Sequence, residues 1–493
     1  MIGDDIMTLL KLLDSIECKT YNLQNAEITC VTPDPEKCKN GSLFVCIKGL
    51  HRDGHDVIEK ALHNGSNAFV IENSRLDITA VLDEKELPYA VVDNSRSALS
   101  RLVSRLYNDP SSKLRITAVT GTNGKTSTVA MLNAIYSYAG ISCATIGTLT
   151  SNMTTPDPTE LYPLLNDFSN DGVSNVFMEA SSHALSLNKL DPIIFENAIF
   201  TNLSPEHLDH HGNMEDYAMA KSRLFAQSKR SFINADDKYC DFMINDCSDN
   251  YFCTAKGGKS DFSANDIRMN GANGSSYILY TENSAFKIEL SIPGEFSIMN
   301  SLQAAACAYA DGIPVRTIRY ALKGFRGVKG RLERIQLPTN EFSVYIDFAH
   351  TPEALKSLLK AVRSFIKRDQ RLILLFGCGG DRDKSKRATM GKIASELSDF
   401  VVITSDNSRS ERTEDIISMI LSEFDSECPH VVIEDRKEAI EFSISNAIRG
   451  DVIILAGKGH EEYQILSDGK HAFSEKHIVI DAVKRNLNGR GIV

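Results

Sequence analysis

Leu114-Arg115-Ile116-Thr117-Ala118-Val119-Thr120-Gly121-Thr122-Asn123-Gly124-Lys125-Thr126-Ser127-Thr128 is the stretch on which the reading of the chain turns. An apolar, β-prone run enters a glycine-punctuated turn. A helical pattern then continues to Tyr138, with Gly140 as its stop. A strand that ends in such a loop and feeds a helix aims backbone N–H groups at an anion. Gly121, Thr122, Asn123, Gly124, Lys125, Thr126 and Ser127 are therefore the candidate ATP-phosphate loop. In it Lys125 reaches the terminal phosphates and Thr126 offers a hydroxyl to Mg²⁺. Val119, not glycine, stands five positions before Gly124, so the loop is more compact than the general GxxxxGK[ST] pattern. The plain alternative is a strand, a glycine turn and a helix with no ligand.

Outward from this loop, 493 residues at ~100–200 per domain predict about three domains. Hydrophobic residues make up 42% and charged residues 24%, as in ordinary globular proteins. A net charge of -11 argues against a general grip on nucleic acid. No apolar run approaches the ~20 residues of a membrane span. Met1 to Leu13 contains Asp4 and Asp5 and lacks the basic opening of a signal peptide, so a cytoplasmic chain is expected. Eleven cysteines without a CxxC pair read as reduced thiols, not as a disulfide framework or zinc site.

The fold class expected is α/β in three domains. Residues 1–111 form the first, ending at the linker Asn108-Asp109-Pro110-Ser111-Ser112. Residues 112–333 form a central P-loop ATPase domain with a parallel sheet, and 334–493 a Rossmann-like domain. In the last, strands Ser343 to Ile346, Arg371 to Phe376, Phe400 to Thr404 and Val452 to Ala456 alternate with helical patterns such as Pro352 to Lys367 and Lys386 to Leu397. That alternation predicts parallel strands with right-handed crossovers.

In the central segment the strand Asn175 to Met178 delivers Glu179, a carboxylate well placed beside a phosphate loop to hold Mg²⁺. A second strand, Asn197 to Thr201, leads to His207, and Lys221 follows on the helix Met214 to Gln227. Alone, His207 reads as a surface or core histidine and Lys221 as a solvated charge. Asn188-Lys189-Leu190-Asp191 spells NKxD and Asp209-His210-His211-Gly212 spells DxxG, but in the wrong order for a GTPase. Gly377-Cys378-Gly379-Gly380-Asp381-Arg382 lacks the third glycine of a dinucleotide fingerprint, which argues against NAD.

GTNGKT at 121–126, MEASSHAL at 178–185, FTNLSPEHLDHHG at 200–212 and MEDYAMAKSRLF at 214–225 together resemble the Mur ligases over essentially the whole chain. The resemblance implies an ATP-dependent acid–amino-acid ligase of peptidoglycan precursor synthesis. Its substrates would be UDP-N-acetylmuramoyl-L-alanyl-D-glutamate and a diamino acid. It implies catalytic roles for Lys125, Lys221, His207 and Glu179. Thr126, Glu179, His207 and Lys221 would be the metal set, with Lys221 carrying a carbamate from CO₂. Hard Mg²⁺ wants oxygen donors, which a bare ammonium lacks. Asn300, Arg331 and Asp347 would complete the ATP site, and Thr154, Thr155, Ser181 and Lys189 would meet the UDP precursor. The chain departs from the family pattern at several points. Glu206 replaces an aspartate, Lys189 an arginine and Ser297 an asparagine, while Pro35 and Glu36 replace the serine and arginine of a uridine contact.

Asp406-Asn407-Ser408-Arg409 resembles the DNPR motif of the meso-diaminopimelate-adding members, with Ser408 for proline. Gly457-Lys458-Gly459-His460-Glu461 resembles their GKGHE segment. Arg382, Asp406, Asn407, Arg409, Gly457 and Glu461 are thus the candidate amino-acid contacts. Arg409 would grip the distal carboxylate with two N–H groups and Glu461 would take the distal ammonium. The alternatives are a lysine-adding member, a folylpolyglutamate synthetase and, in another class, a non-catalytic nucleotide-gated scaffold.

Overall fold

The computed structural model describes residues 7–489 except 15, 24–25, 50–51, 152, 247–248, 258–259, 272–273 and 368. The chain divides into two compact units, Met1–Cys253 with Ala306–Ile313, and Thr254–Ala305 with Pro314–Val493.

The first unit holds two sheets. The N-terminal sheet runs Lys19–Tyr21, Tyr89–Val92, Ser66–Glu72, Ser42–Val45, Cys30–Thr32. Its first strand is antiparallel and the rest are parallel. The helix Ser95–Leu106 covers it with Ala98, Leu99, Leu102, Val103 and Leu106, one apolar stripe at helical spacing. Asn94 caps that helix, accepting from the N–H groups of Arg96 and Ser97 at 3.0 Å. The expected linker instead closes into a 3₁₀ turn, Pro110–Lys113, entered through left-handed Asn108 and Asp109.

Six strands of the second sheet pair in parallel: Ser228–Asn234, Phe195–Phe200, Arg115–Thr120, Asn175–Glu179, Cys143–Ile146, with Asp249–Thr254 beyond Ser228–Asn234. Arg115–Thr120 is followed by the helix Lys125–Tyr138, which leads to the edge strand Cys143–Ile146, while Phe195–Phe200 pairs on its other side. The strand order therefore reverses at Arg115–Thr120, and the crevice at the carboxyl ends is where such a sheet receives ligands.

The second unit contains a three-stranded antiparallel meander, Phe262–Met269, Ser275–Tyr280, Ala285–Leu290, absent from the sequence expectation of parallel sheets. The reason is local. These strands are joined by short turns, which permit only antiparallel neighbours. A six-stranded sheet follows in the order Glu333–Arg334, Ser343–Asp347, Val452–Ala456, Leu372–Phe376, Phe400–Ile403, His430–Val432. Only its first pair is antiparallel. Leu372–Phe376 and Val452–Ala456 are buried along their whole length, as strands sandwiched by helices must be. Apolar clusters lie on both faces, one with Leu355, Leu359 and Ile420, the other with Ile440, Ile444 and Val479.

Candidate functional site

The first unit gathers its polar residues at the carboxyl ends of its parallel strands. Gly121 has φ +147°, and a side chain there would collide with Thr201 Oγ1. The loop is held from the end of the neighbouring strand. Thr122 N–H donates to Asn202 O at 2.8 Å, Asn123 N–H to Asn202 Oδ1 at 3.0 Å, and Thr201 Oγ1 to Asn123 O at 2.6 Å. Gly124, at φ +89°, turns the chain into the helix that starts at Lys125. The Lys125 ammonium folds back onto Gly121 O at 2.8 Å and Thr122 O at 2.9 Å. Ser127 lies in the first turn of that helix.

Glu179, the last residue of its strand, is buried, and Thr126 Oγ1 stands 3.1 Å from both of its carboxylate oxygens. The Thr148 N–H donates to Glu179 Oε1 at 2.9 Å. The expected pairing of Thr126 with Glu179 is therefore present in the geometry. Thr155 Oγ1 donates to Glu179 O at 2.9 Å and accepts from Ser181 N–H at 3.0 Å, and Thr154 Oγ1 lies 3.3 Å from Thr148 Oγ1. Ser181 also caps the short helix Ser182–Ser186.

Lys221 is fully enclosed, with Nζ 3.0 Å from Gly121 O and 4.6 Å from the centroid of the Tyr217 ring. Burial pushes its amine well below the ordinary lysine range, and the Lys125 cation pushes the same way, against the opposing pull of Glu206. Two lysines thus share one carbonyl acceptor at the mouth of the loop. His207 takes a left-handed backbone, φ +57°, and is about half exposed. Its ring stands 4.8 Å from that of His183, which stacks on His210 at 4.0 Å. Among the described residues no three His, Cys, Asp or Glu side chains converge as a metal cage. The expected set contains only two residues of those types, Glu179 and His207.

The NKxD match is a tight turn. Left-handed Asn188 donates Nδ2 to both carboxylate oxygens of Asp191, while Lys189 pairs with Asp157 at 2.5 Å.

In the second unit Asp347 ends its strand with both oxygens occupied, by Leu332 N–H at 2.7 Å and Ala349 N–H at 2.8 Å. Burial raises its carboxyl above the ordinary range, and the Arg331 charge opposes that shift. The Arg331 guanidinium lies over the Phe348 ring at 4.8 Å. Asn300 is buried within the helix Phe296–Ala310.

Three loops meet at the carboxyl ends of Leu372–Phe376, Phe400–Ile403 and Val452–Ala456. A side chain at Gly380 would collide with Ser408 O, and one at Gly457 would stand 2.5 Å from Asp406 Oδ2. The glycine run after Phe376 is therefore spaced for the 406–409 loop, which accounts for its resemblance to a dinucleotide turn. Arg409, left-handed at φ +51°, donates Nη1 to Gly380 O at 2.7 Å and Asn407 O at 3.2 Å. Asn407 Nδ2 donates to Glu461 Oε2 at 2.9 Å. Arg382 is exposed.

Several residues of this cluster escaped the sequence reading. Arg387 and Glu411 form a two-pronged pair at 2.9 Å and 2.9 Å, with Arg387 fully buried and also donating to Gly379 O. Glu411 accepts from Asp381 N–H as well. Buried Arg436 donates to Ser405 O, Ala456 O and Glu475. The only signal for them in the sequence is a charge inside an otherwise helical or loop pattern, which ordinarily marks a solvated surface.

Among the described residues no helix is long and apolar enough to cross a membrane, and the ten described cysteines are free thiols.

Residues 27–107 match the family model for the Mur ligase catalytic domain, 119–308 that for the Mur ligase middle domain, and 330–459 that for the Mur ligase glutamate ligase domain. The chain is 40% identical over 487 residues to the UDP-N-acetylmuramoyl-L-alanyl-D-glutamate–2,6-diaminopimelate ligase of Caldanaerobacter subterraneus, spanning 96% of this chain and 98% of that one. It is 40% identical over 473 residues to the first such ligase of Clostridium acetobutylicum, spanning 93% and 95%. A solved structure of a ligase with the same name superposes with a TM-score of 0.69 at 29% identity, over 98% of this chain and 99% of that one. The fold is also that of the Thermotoga maritima MurF ligase in complex with ADP, with a TM-score of 0.61 at 17% identity over 93% and 98%. The loop at the strand-order reversal, the three facing glycine and acidic loops, and identity along the whole length agree: the chain belongs to the Mur ligase family.

Proposed function

We propose that this protein is the ATP-dependent ligase that joins meso-diaminopimelate to the D-glutamate carboxylate of UDP-N-acetylmuramoyl-L-alanyl-D-glutamate. The observation that carries the amino-acid assignment is Asn407, whose backbone carbonyl accepts from Arg409 and whose side-chain Nδ2 donates to Glu461, so that a cation and an anion flank one residue. Meso-diaminopimelate ends in a zwitterion, and lysine ends in an ammonium alone. A cation facing that end favours the extra carboxylate and would be left unpaired by lysine. On this reading residues 1–111 take the precursor, 112–333 the ATP and 334–493 the amino acid.

The precursor carboxylate attacks the γ-phosphorus of ATP, the bond to the bridging oxygen breaks, and ADP leaves an acyl phosphate. The incoming amine attacks the acyl carbon, loses a proton, and inorganic phosphate departs as the amide forms. Lys125 leaves its carbonyl partners for the transferred phosphate and offsets the repulsion between two anions. Thr154, Thr155, Ser181 and Lys189 bind the precursor, and Asn300, Arg331 and Asp347 line the nucleotide.

The donor set fits Mg²⁺: a hydroxyl and both oxygens of a buried carboxylate within 3.1 Å of each other are hard ligands. Thr126 and Glu179 would hold one ion and His207 a second, with a carbamate on Lys221 as an anionic oxygen ligand, and the ions would supply charge neutralisation on the phosphates. Bare Lys221 offers no lone pair as an ammonium. Its enclosure favours the neutral amine, whose lone pair attacks CO₂, forms an N–C bond and loses a proton to give the anionic carbamate.

Incubation with ATP, the UDP-dipeptide and a panel of amino acids, followed by product mass, tests the proposal. ATP turnover and amide product only when both other substrates are present are expected, and ATP binding with neither turnover nor product would favour a nucleotide-gated scaffold.

A further inference from the structure

Lys458 is wholly buried, and the mechanism above gives it no role. Its Nζ donates to Asn407 Oδ1 at 2.9 Å and Tyr463 O at 2.9 Å. It also stands 3.6 Å from Asp406 Oδ1 and 3.7 Å from Glu461 Oε2. Asn407 Oδ1 accepts a second bond, from Ile465 N–H at 2.9 Å. Two donors on the oxygen fix the amide with its nitrogen facing the other way, where Nδ2 meets Glu461 Oε2. The remaining oxygen of Glu461 lies 3.3 Å from the Tyr463 hydroxyl. The buried lysine, together with the Ile465 N–H, therefore sets which end of Asn407 faces Glu461.

Charge leads to the same place. Asp406 and Glu461 bring two negative charges to this corner, and Lys458 offsets one of them. The one left over suits an ammonium, and Arg409 faces the accompanying carboxylate. Without Lys458, Asp406 and Glu461 would lose the cation that stands between them, and the Asn407 oxygen would be left with the Ile465 N–H alone.

We propose that Lys458 is a positioning residue for amino-acid selection: it orients Asn407 and Glu461 so that Glu461 receives the distal ammonium of the diamino acid. This rests on the reading that the pocket takes a diamino acid. Lys458 makes no contact with substrate in this role, because it is covered by the groups it orients.

Steady-state kinetics of full-length Lys458→Met, with each of the three substrates varied in turn, tests it. The KM for meso-diaminopimelate should rise at least ~10-fold, with the KM values for ATP and the UDP-dipeptide unchanged. If Lys458→Met does not fold, Asn407→Asp carries the same test, because it keeps the acceptor for Lys458 but sets a carboxylate against Glu461. It should give the same selective rise. An unchanged KM for the diamino acid, or a parallel loss in all three substrates, overturns the proposal while leaving the function intact. An unmutated enzyme that does not use meso-diaminopimelate removes the pocket reading, and the proposal with it.

Discussion

Lys125 and Lys221 have unlike surroundings although both point at Gly121 O. Lys125 is partly accessible and begins a helix, while Lys221 is sealed between Tyr217 and the loop. Lys125→Ala should slow ligation ~10²–10³-fold, the usual cost of one preorganised charge at a reacting phosphate. The thermal midpoint should change little, because the side chain is partly accessible and its bonds to Gly121 O and Thr122 O stay within the loop. Near-normal turnover in the folded variant contradicts the phosphate-loop assignment. Lys221→Ala should also inactivate, and added short carboxylic acids should restore part of the activity by supplying the missing oxygens. A native mass showing a bare amine in fully active enzyme contradicts the carbamate. Candidates at this scale could be picked out in the sequence because GTNGKT, SSHAL and AMAKSRLF are contiguous strings. The place of Lys458 could not, because it depends on Asn407, 51 positions away in the chain and brought beside it by the sheet.

At the scale of elements, the loop 377–382 and the loop 406–411 are tied by Arg387, which reaches Gly379 O from one and Glu411 from the other. The Arg387 hydrogen bonds hold the Glu411 carboxyl down to about 2 from the ordinary 4.5. A depressed acid stabilises the fold fully above its unfolded value and ceases to do so as the pH falls through its folded value. The pair's contribution should therefore be complete above about 4.5 and be lost toward pH 2. In Glu411→Gln the urea midpoint should be lower than the parent's at pH 7, and the gap should narrow as the pH drops through that window. A constant gap at every pH would show that Glu411 acts without its charge. Arg409 belongs to the same pair of loops. Its Nη1 is clamped by Gly380 O and Asn407 O, and among the described residues its Nε and Nη2 make no hydrogen bond. Arg409→Ala should lower kcat/KM for meso-diaminopimelate roughly 30-fold or more, the cost of losing a desolvated charge pair, while lysine use changes little. Equal loss for both amino acids contradicts its role. The strands that carry these loops were legible in advance, since Val452–Ala456 and the helix Lys386–Leu397 agree with the expectation at both ends. The meander Phe262 to Leu290 was not, because Phe262–Met269 and Ala285–Leu290 intersperse charged and polar residues and are partly exposed, without the continuous apolar runs that marked the parallel strands.

At the scale of the whole molecule, three family domains in one chain imply a reaction with three substrates, each useless without the others. The chemistry is shared across the family, so the identity of the product rests on which amine is accepted. The most direct measurement is the mass of the product formed from ATP, UDP-N-acetylmuramoyl-L-alanyl-D-glutamate and an equimolar mixture of meso-diaminopimelate and L-lysine. The account predicts a single product, the precursor plus meso-diaminopimelate less one water, with one phosphate released per amide formed. A product carrying lysine in preference, or no amide at all, would contradict it.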